Sequence, residues 1–195
     1  MRRLLFALPF ALLPLAVAHA HDDHDHDHDH DHAHGTLGAH EHGVAKLNAV
    51  LDGNTLELEL DSPAMNIVGF EHVASNDADK AKVAAARQQL EQPLKLFGVA
   101  PAAGCNEDAQ ELESPLFGDA AQADEDGDSH EHGHAHADVN AHYQLTCATP
   151  GKLTQIDLGP LFKTFPQTQK INVQLIGPNG QKGIEATSAK AVVAF

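Results

Sequence analysis

The sequence predicts a mainly β (α+β) fold: a single antiparallel β-sandwich-like domain with one covering helix, a disordered His-rich N-terminal tail and an inserted His-rich loop. Three observations carry this. After Gly43, apolar and polar residues alternate in six or seven short stretches, the period of a half-buried strand. Only one segment, near residues 76–92, combines a helix cap with a run of alanines. Residues 21–39 and 118–138 are small, acidic and His-rich, with too little apolar surface to offset ordering entropy.

The elements follow in chain order. Met1-Arg2-Arg3 is basic, Leu4 to Val17 is apolar, and Ala18-His19-Ala20 fits a cleavage site, so residues 1–20 read as a signal peptide. The apolar run contains Pro9 and Pro14 and is shorter than the ~20 residues a bilayer requires. No membrane insertion is expected from it or from any later segment. The mature chain then starts at His21. Residues 21–39 form the tail, and 40–195 form one β-rich domain interrupted by the loop at 118–138.

Ala45, Leu47, Ala49 and Leu51 alternate with polar neighbours, as do Leu56, Leu58 and Leu60, and Asp52-Gly53-Asn54 lies between them. This is a strand, a tight turn and a strand. Asp61-Ser62-Pro63 ends the second strand, and Met65 to Phe70 is a short apolar stretch. Ser75 or Asn76 can cap a helix running to Leu90 or Gln92, with Val83 and Leu90 on its packed side. Leu94, Leu96, Phe97 and Val99 return to the core, and Cys105 begins another extended piece. Val139, Ala141, Tyr143, Leu145 and Cys147 define a clear strand. Leu153 to Leu158 reads as a further strand, and Leu161, Phe162 and Phe165 as a short helical turn. Ile171, Val173 and Leu175 alternate again, Pro178-Asn179-Gly180 turns, Gln181 to Ala186 returns, and Ala191 to Phe195 closes an edge.

The formal net charge is −16, and loss of Arg2 and Arg3 makes it more negative. That excludes nucleic acid and anionic membranes as natural partners and favours cations. The two cysteines, Cys105 and Cys147, read as one disulfide in an oxidising compartment. The competing reading, a thiolate pair on a metal, suits a reducing compartment.

The histidines carry the chemistry. They are His21, His24, His26, His28, His30, His32 and His34 in the tail, His40 and His42 before the first strand, and His130, His132, His134 and His136 in the loop. Most are spaced two apart, so in extended chain their rings share a side and can chelate without a specific fold. Imidazole suits zinc, copper and nickel. At four ligands per zinc, the mature histidines suffice for roughly four ions. Interleaved aspartates draw divalent ions in but also favour protonation, so uptake should weaken below about pH 6.5. The expected cofactor is therefore Zn2+, as several exchangeable ions. Ni2+ and Cu2+ stay open, because an N-terminal His21 offers both its amine and its ring to copper. His40 and His42 lead into one strand, and His134 and His136 into another. If those strands begin at the same end of the sheet, the four rings could converge. His72 reads as a hydrogen-bonded structural histidine, while His142 on a polar strand face is left open.

Two motif matches point elsewhere. His130-Glu131-His132-Gly133-His134 satisfies the HExxH zinc-hydrolase pattern, but its Asp-, Gly- and His-rich surroundings lack the helical periodicity that chemistry needs. Asp124 to Ala135 resembles a calcium loop but misplaces the glycine and lacks the closing glutamate. The chain is read as a non-enzyme.

The signal peptide, the His-Asp tract, GAHEHGVAKLNAVLDGNTLELELDSPAMNIVGFEH (38–72), HADVNAHYQLTCATP (136–150) and INVQLIGPNGQKG (171–183) together resemble the ZrgA-like periplasmic zinc-binding proteins. The resemblance implies a periplasmic location and a protein that buffers or delivers Zn2+ for high-affinity uptake. It also implies the substrate-binding component of a zinc ABC importer as a partner, and metal on the His-rich segments.

Overall fold

The alternating stretches assemble into one mixed six-stranded sheet. The computed structural model describes residues 40–118 and 137–195. The segments read from sequence as signal peptide and tail, and residues 119–136 of the expected loop, lie outside the described residues. In chain order, the strands are β1 (Val44–Asp52), β2 (Thr55–Pro63), β3 (Cys105–Glu113), β4 (Asp138–Cys147), β5 (Gln155–Asp157), β6 (Lys170–Gly177), β7 (Gly180–Thr187) and β8 (Val192–Ala194). The sheet order is β3-β4-β2-β1-β6-β7, and β5 pairs with β8 in a separate two-stranded ribbon.

β1 and β2 form the expected hairpin. Asp52 faces Thr55 across a two-residue loop, Gly53-Asn54, so Leu51, Ala49 and Leu47 face Leu56, Leu58 and Leu60. β4 continues that face with Leu145, Tyr143 and Ala141, and β6 continues it with Ile171, Val173 and Leu175. All of these side chains are buried. The opposite face carries Lys46, Glu57, Glu59, His142 and Asn172 in solvent, as an antiparallel sheet with one wet side permits.

The mainly β expectation holds, with two refinements. β1 and β6 run parallel, while every other pair in the sheet is antiparallel. The hairpin uses only one edge of β1. Its other edge is reached by a chain that has already crossed the molecule, and side-chain alternation carries no information about that direction. The second layer consists of the β5–β8 ribbon and helices. These are α1 (Ala64–Val68), α2 (Asp77–Leu90), α3 (Pro93–Leu96) and α4 (Gly159–Thr164). α2 is the anticipated helix. Asn76 caps it by accepting from the Asp79 amide, and Val83, Ala86 and Leu90 face the core. α1, α3 and α4 are each too short to show a 3.6-residue period over repeated turns. Leu94 does not return to the core. It is 38% exposed, because the α3 turn spends Pro93, Leu96 and the following Phe97 on the buried side.

Tyr143 joins the layers. Its hydroxyl donates to the Leu90 carbonyl at 2.9 Å, supplying a partner to the last turn of α2, and its ring meets Phe97 edge-on at 5.5 Å. Burial raises the phenol above its ordinary pKa. At the head of α2, Asp79 accepts from His72 at 3.2 Å and from Asn76 at 2.6 Å. The His72 hydrogen bond is the main reason this carboxyl lies below its ordinary value; it outweighs desolvation, with smaller help from the Asn76 hydrogen bond and the charges of His72 and Lys82. His72 also stacks on Phe70 at 4.6 Å, the structural role its position suggested.

Cys105 and Cys147 sit directly opposite each other on β3 and β4 and form a disulfide. β3 is an edge strand, and Leu112 is its one buried residue. The covalent link replaces the apolar anchoring that the strand lacks.

Two expectations follow. Replacing both cysteines with alanine should lower the unfolding free energy in urea by about 3–4 kcal/mol, the chain-entropy value for a loop of this size. For Asp79, folding favours the ionised form. Its contribution is complete above the unfolded carboxyl's range near pH 4 and disappears as pH falls through the lower folded value. Asp79→Asn should therefore unfold at lower temperature than the parent at pH 7. The gap should close as pH is lowered below about 4.

Candidate metal centre

The sheet topology brings three chain segments to one end. β2 is antiparallel to both β1 and β4, so β1 and β4 start at the same edge of the sheet. β2 finishes there and passes through α1 to Glu71. The segment before β1 supplies His40 and His42, the segment after α1 supplies Glu71, and the first residue of β4 is Asp138.

These groups touch. Nε2 of His40 lies 3.0 Å from Glu71 Oε1, and Nε2 of His42 lies 2.9 Å from the same oxygen. The two rings are 5.5 Å apart and inclined at 33°. One ligand atom from each of His40, His42 and Glu71 falls within 4.8 Å of the others. Around a tetrahedral zinc with bonds of about 2.0–2.1 Å, ligand atoms lie roughly 3.3 Å apart. The two nitrogen–oxygen separations, 3.0 and 2.9 Å, need widen by only a few tenths of an ångström to reach that spacing. Two nitrogens and one carboxylate oxygen suit a borderline transition ion better than calcium or magnesium, which take oxygen.

Asp138 adds the orienting contact. Its Oδ1 is 2.6 Å from His40 Nδ1. A carboxylate this close to Nδ1 is placed to accept its proton after a small rotation, which would fix the ring and turn the lone pair of Nε2 toward an ion, as in a carboxylate–histidine–metal arrangement. The His40 and Glu71 side chains are each 12% exposed, whereas His42 is 50% exposed. The His42 side is therefore the solvent-facing side of the cluster. An open cavity of about 350 Å³ at this end of the sheet is lined by His40, Glu41, Lys46, Asp61 and Asp138. Its surplus of carboxylates favours cations at the mouth.

Among the sequence-derived ligands, His40 and His42 are thus brought together. His21, His24, His26, His28, His30, His32, His34, His130, His132, His134 and His136 lie outside the described residues, as does Glu131. The strands that follow His42 and His136 do start at the same end, but the rings of His134 and His136 are not among the described groups. His142 stands on the wet face of β4, opposite Glu59 on β2 and Glu111 on β3, away from this centre. Glu71 and Asp138 were not foreseen as site residues. Glu71 is one of 28 acidic residues, and only the αL turn at Gly69 (φ 86°), which ends α1, aims it back at His40 and His42.

The family model for ZrgA family zinc uptake proteins matches residues 39–195, and the chain belongs to that family. No curated protein matches the chain.

Asp138 can be tested as the orienting carboxylate. Asp138→Asn should weaken zinc binding at the tightest site about 10–100-fold, the usual cost of losing an outer-shell partner, while leaving the far-UV spectrum unchanged. Competition against a chromophoric chelator would measure it.

Proposed function

We propose that this zinc uptake family member is a periplasmic, non-enzymatic zinc carrier that buffers Zn2+ and delivers it for high-affinity uptake. The observation that supports this reading is the approach of two imidazole Nε2 atoms and one carboxylate oxygen at the open end of a rigid sheet. Export through a cleaved signal peptide fits the disulfide, which is stable in an oxidising compartment.

In this reading His40, His42 and Glu71 bind the ion, and Asp138 orients His40. Three protein ligands leave one position of a tetrahedral zinc for water or for an incoming ligand, and zinc exchange between proteins needs such a position. The histidines at 21–34 and 130–136 add further, exchangeable capacity. The recipient is the substrate-binding component of a zinc ABC importer. No helix among the described residues is long and apolar enough to cross a membrane.

The donor set also accepts nickel and copper, and copper outranks zinc in intrinsic affinity for such sites. Selectivity is therefore decided by competition titrations with the three metals.

The decisive experiment is calorimetry at pH 7.4 on the mature chain. His40→Ala/His42→Ala should abolish the tightest zinc step, a weakening of roughly a hundredfold or more, since ligand loss exceeds outer-shell loss. Deleting residues 21–34 should remove weaker steps and spare that one. An unchanged tightest step in the double variant would overturn the reading.

A further inference from the structure

We propose that Asn66 is the positioning residue of the metal centre, holding the His40–His42 arm in register with Glu71. This rests on the reading of His40, His42 and Glu71 as the zinc ligands.

Asn66 lies in α1 and is 1% exposed, beside the equally buried Ser62. A buried amide costs free energy unless all of its polar atoms are paired, and here they are. The Gly43 amide donates to Oδ1 at 2.6 Å. Nδ2 donates to the Val44 carbonyl at 3.0 Å and to Ser62 Oγ at 3.1 Å. A leucine would fill the same space without the desolvation cost. What the amide adds is a fixed path for the backbone of Gly43 and Val44, immediately after His42.

That backbone needs a partner from outside the ladder. Across the two-residue hairpin loop, Asp52 and Thr55 form a hydrogen-bonded pair, and such pairs alternate along the strands. Extending the register places Val44 in a hydrogen-bonded position opposite Pro63. The paired register ends at Lys46 and Asp61, the Val44 amide turns to the Glu41 carbonyl at 3.0 Å, and Pro63 has no N–H to offer the Val44 carbonyl where the histidine arm leaves the sheet. Asn66 Nδ2 supplies the missing donor. Gly43 is left-handed (φ 85°), and its carbonyl accepts from Gln169 at 2.8 Å and Lys170 at 3.0 Å, so the turn is held from both sides.

The other arm hangs on the same helix. α1 ends at Gly69, whose amide donates to the Met65 carbonyl at 3.1 Å, and Glu71 follows two residues later. One side chain in a five-residue helix thus grips the histidine segment, while the end of that helix carries the glutamate. The distance between the two arms is set by Asn66. Without it, the His arm frays from the sheet end and the ion must pay the ordering cost itself.

The test uses the full mature chain with Zn2+ and Co2+ as probes. Asn66→Ala is compared with Val193→Ala, a core truncation in the β5–β8 ribbon, under conditions where circular dichroism shows both fully folded. Asn66→Ala should weaken the tightest zinc step roughly 10–100-fold, the range for outer-shell partners, and change the visible spectrum of the Co2+ form. Val193→Ala should lower the melting temperature yet keep parental affinity and spectrum. Asn66→Asp, which retains an acceptor for the Gly43 amide, provides a second variant if the alanine form does not fold, and it should lose affinity in the same direction. Parental affinity and an unchanged Co2+ spectrum in either folded Asn66 variant overturn the proposal. So does an affinity loss that Val193→Ala reproduces. Indifference of the parent's tightest step to His40→Ala/His42→Ala instead sinks the zinc-site reading on which the proposal rests.

Discussion

Two antiparallel pairings in succession, β1 with β2 and β2 with β4, return the chain to one end of the sheet, and the candidate metal centre depends on that return. The register is held by a two-residue hairpin and by the burial of Leu47, Ala49, Leu51, Leu56, Leu58 and Leu60 on a single face. A slip of one residue in either strand would carry that strand's three core residues into water. It would also move His40 and His42 relative to Glu71 by a full strand rise, about 3.4 Å, which is more than the separation between the ligand atoms. The hydrophobic core therefore fixes the geometry of a polar site in which it takes no part.

The electrostatics of the site follow from composition and burial together. The chain carries 28 acidic side chains against 12 basic ones, so a cation meets a favourable field on approach. Diffuse charge alone would not discriminate between calcium, magnesium and zinc. Discrimination comes from imidazole, which transition ions prefer, and from the low exposure of His40 and Glu71, which strengthens their interaction with a bound charge. The half-exposed His42 keeps one side open to solvent. If the protein hands on an ion as proposed, the exposed ligand is the one an acceptor can replace first.

Much of the fold was legible because each strand buries one face. Alternation at 45–51, 56–60, 139–147 and 171–175 appears directly in the sequence, and the Asn76 cap and the alanines announce α2. The parallel contact of β1 with β6 was not legible, since it joins residues more than a hundred positions apart and leaves no local trace. α1 was hidden for a different reason: five residues make little more than one turn, and Met65 to Phe70 reads equally well as a buried extended run. Missing α1 meant missing the reversal that delivers Glu71. The histidine half of the site was thus visible from residue type and spacing, whereas the carboxylate half is a product of tertiary structure.

A metal site assembled from chain that orders only on binding is charged about 1–2 kcal/mol for each residue it fixes. Four or five residues would consume roughly 4–10 kcal/mol, a large part of what a zinc ion releases on binding to protein ligands. At His40, His42 and Glu71 folding has already set the backbone: the Gly43 turn is bonded from two sides, α1 is closed at Gly69, and Asp138 lies 2.6 Å from the His40 ring. A pre-positioned triplet supplies affinity. On the proposed reading, the folded centre fixes the affinity at which one ion is held, because its ligands need no further ordering.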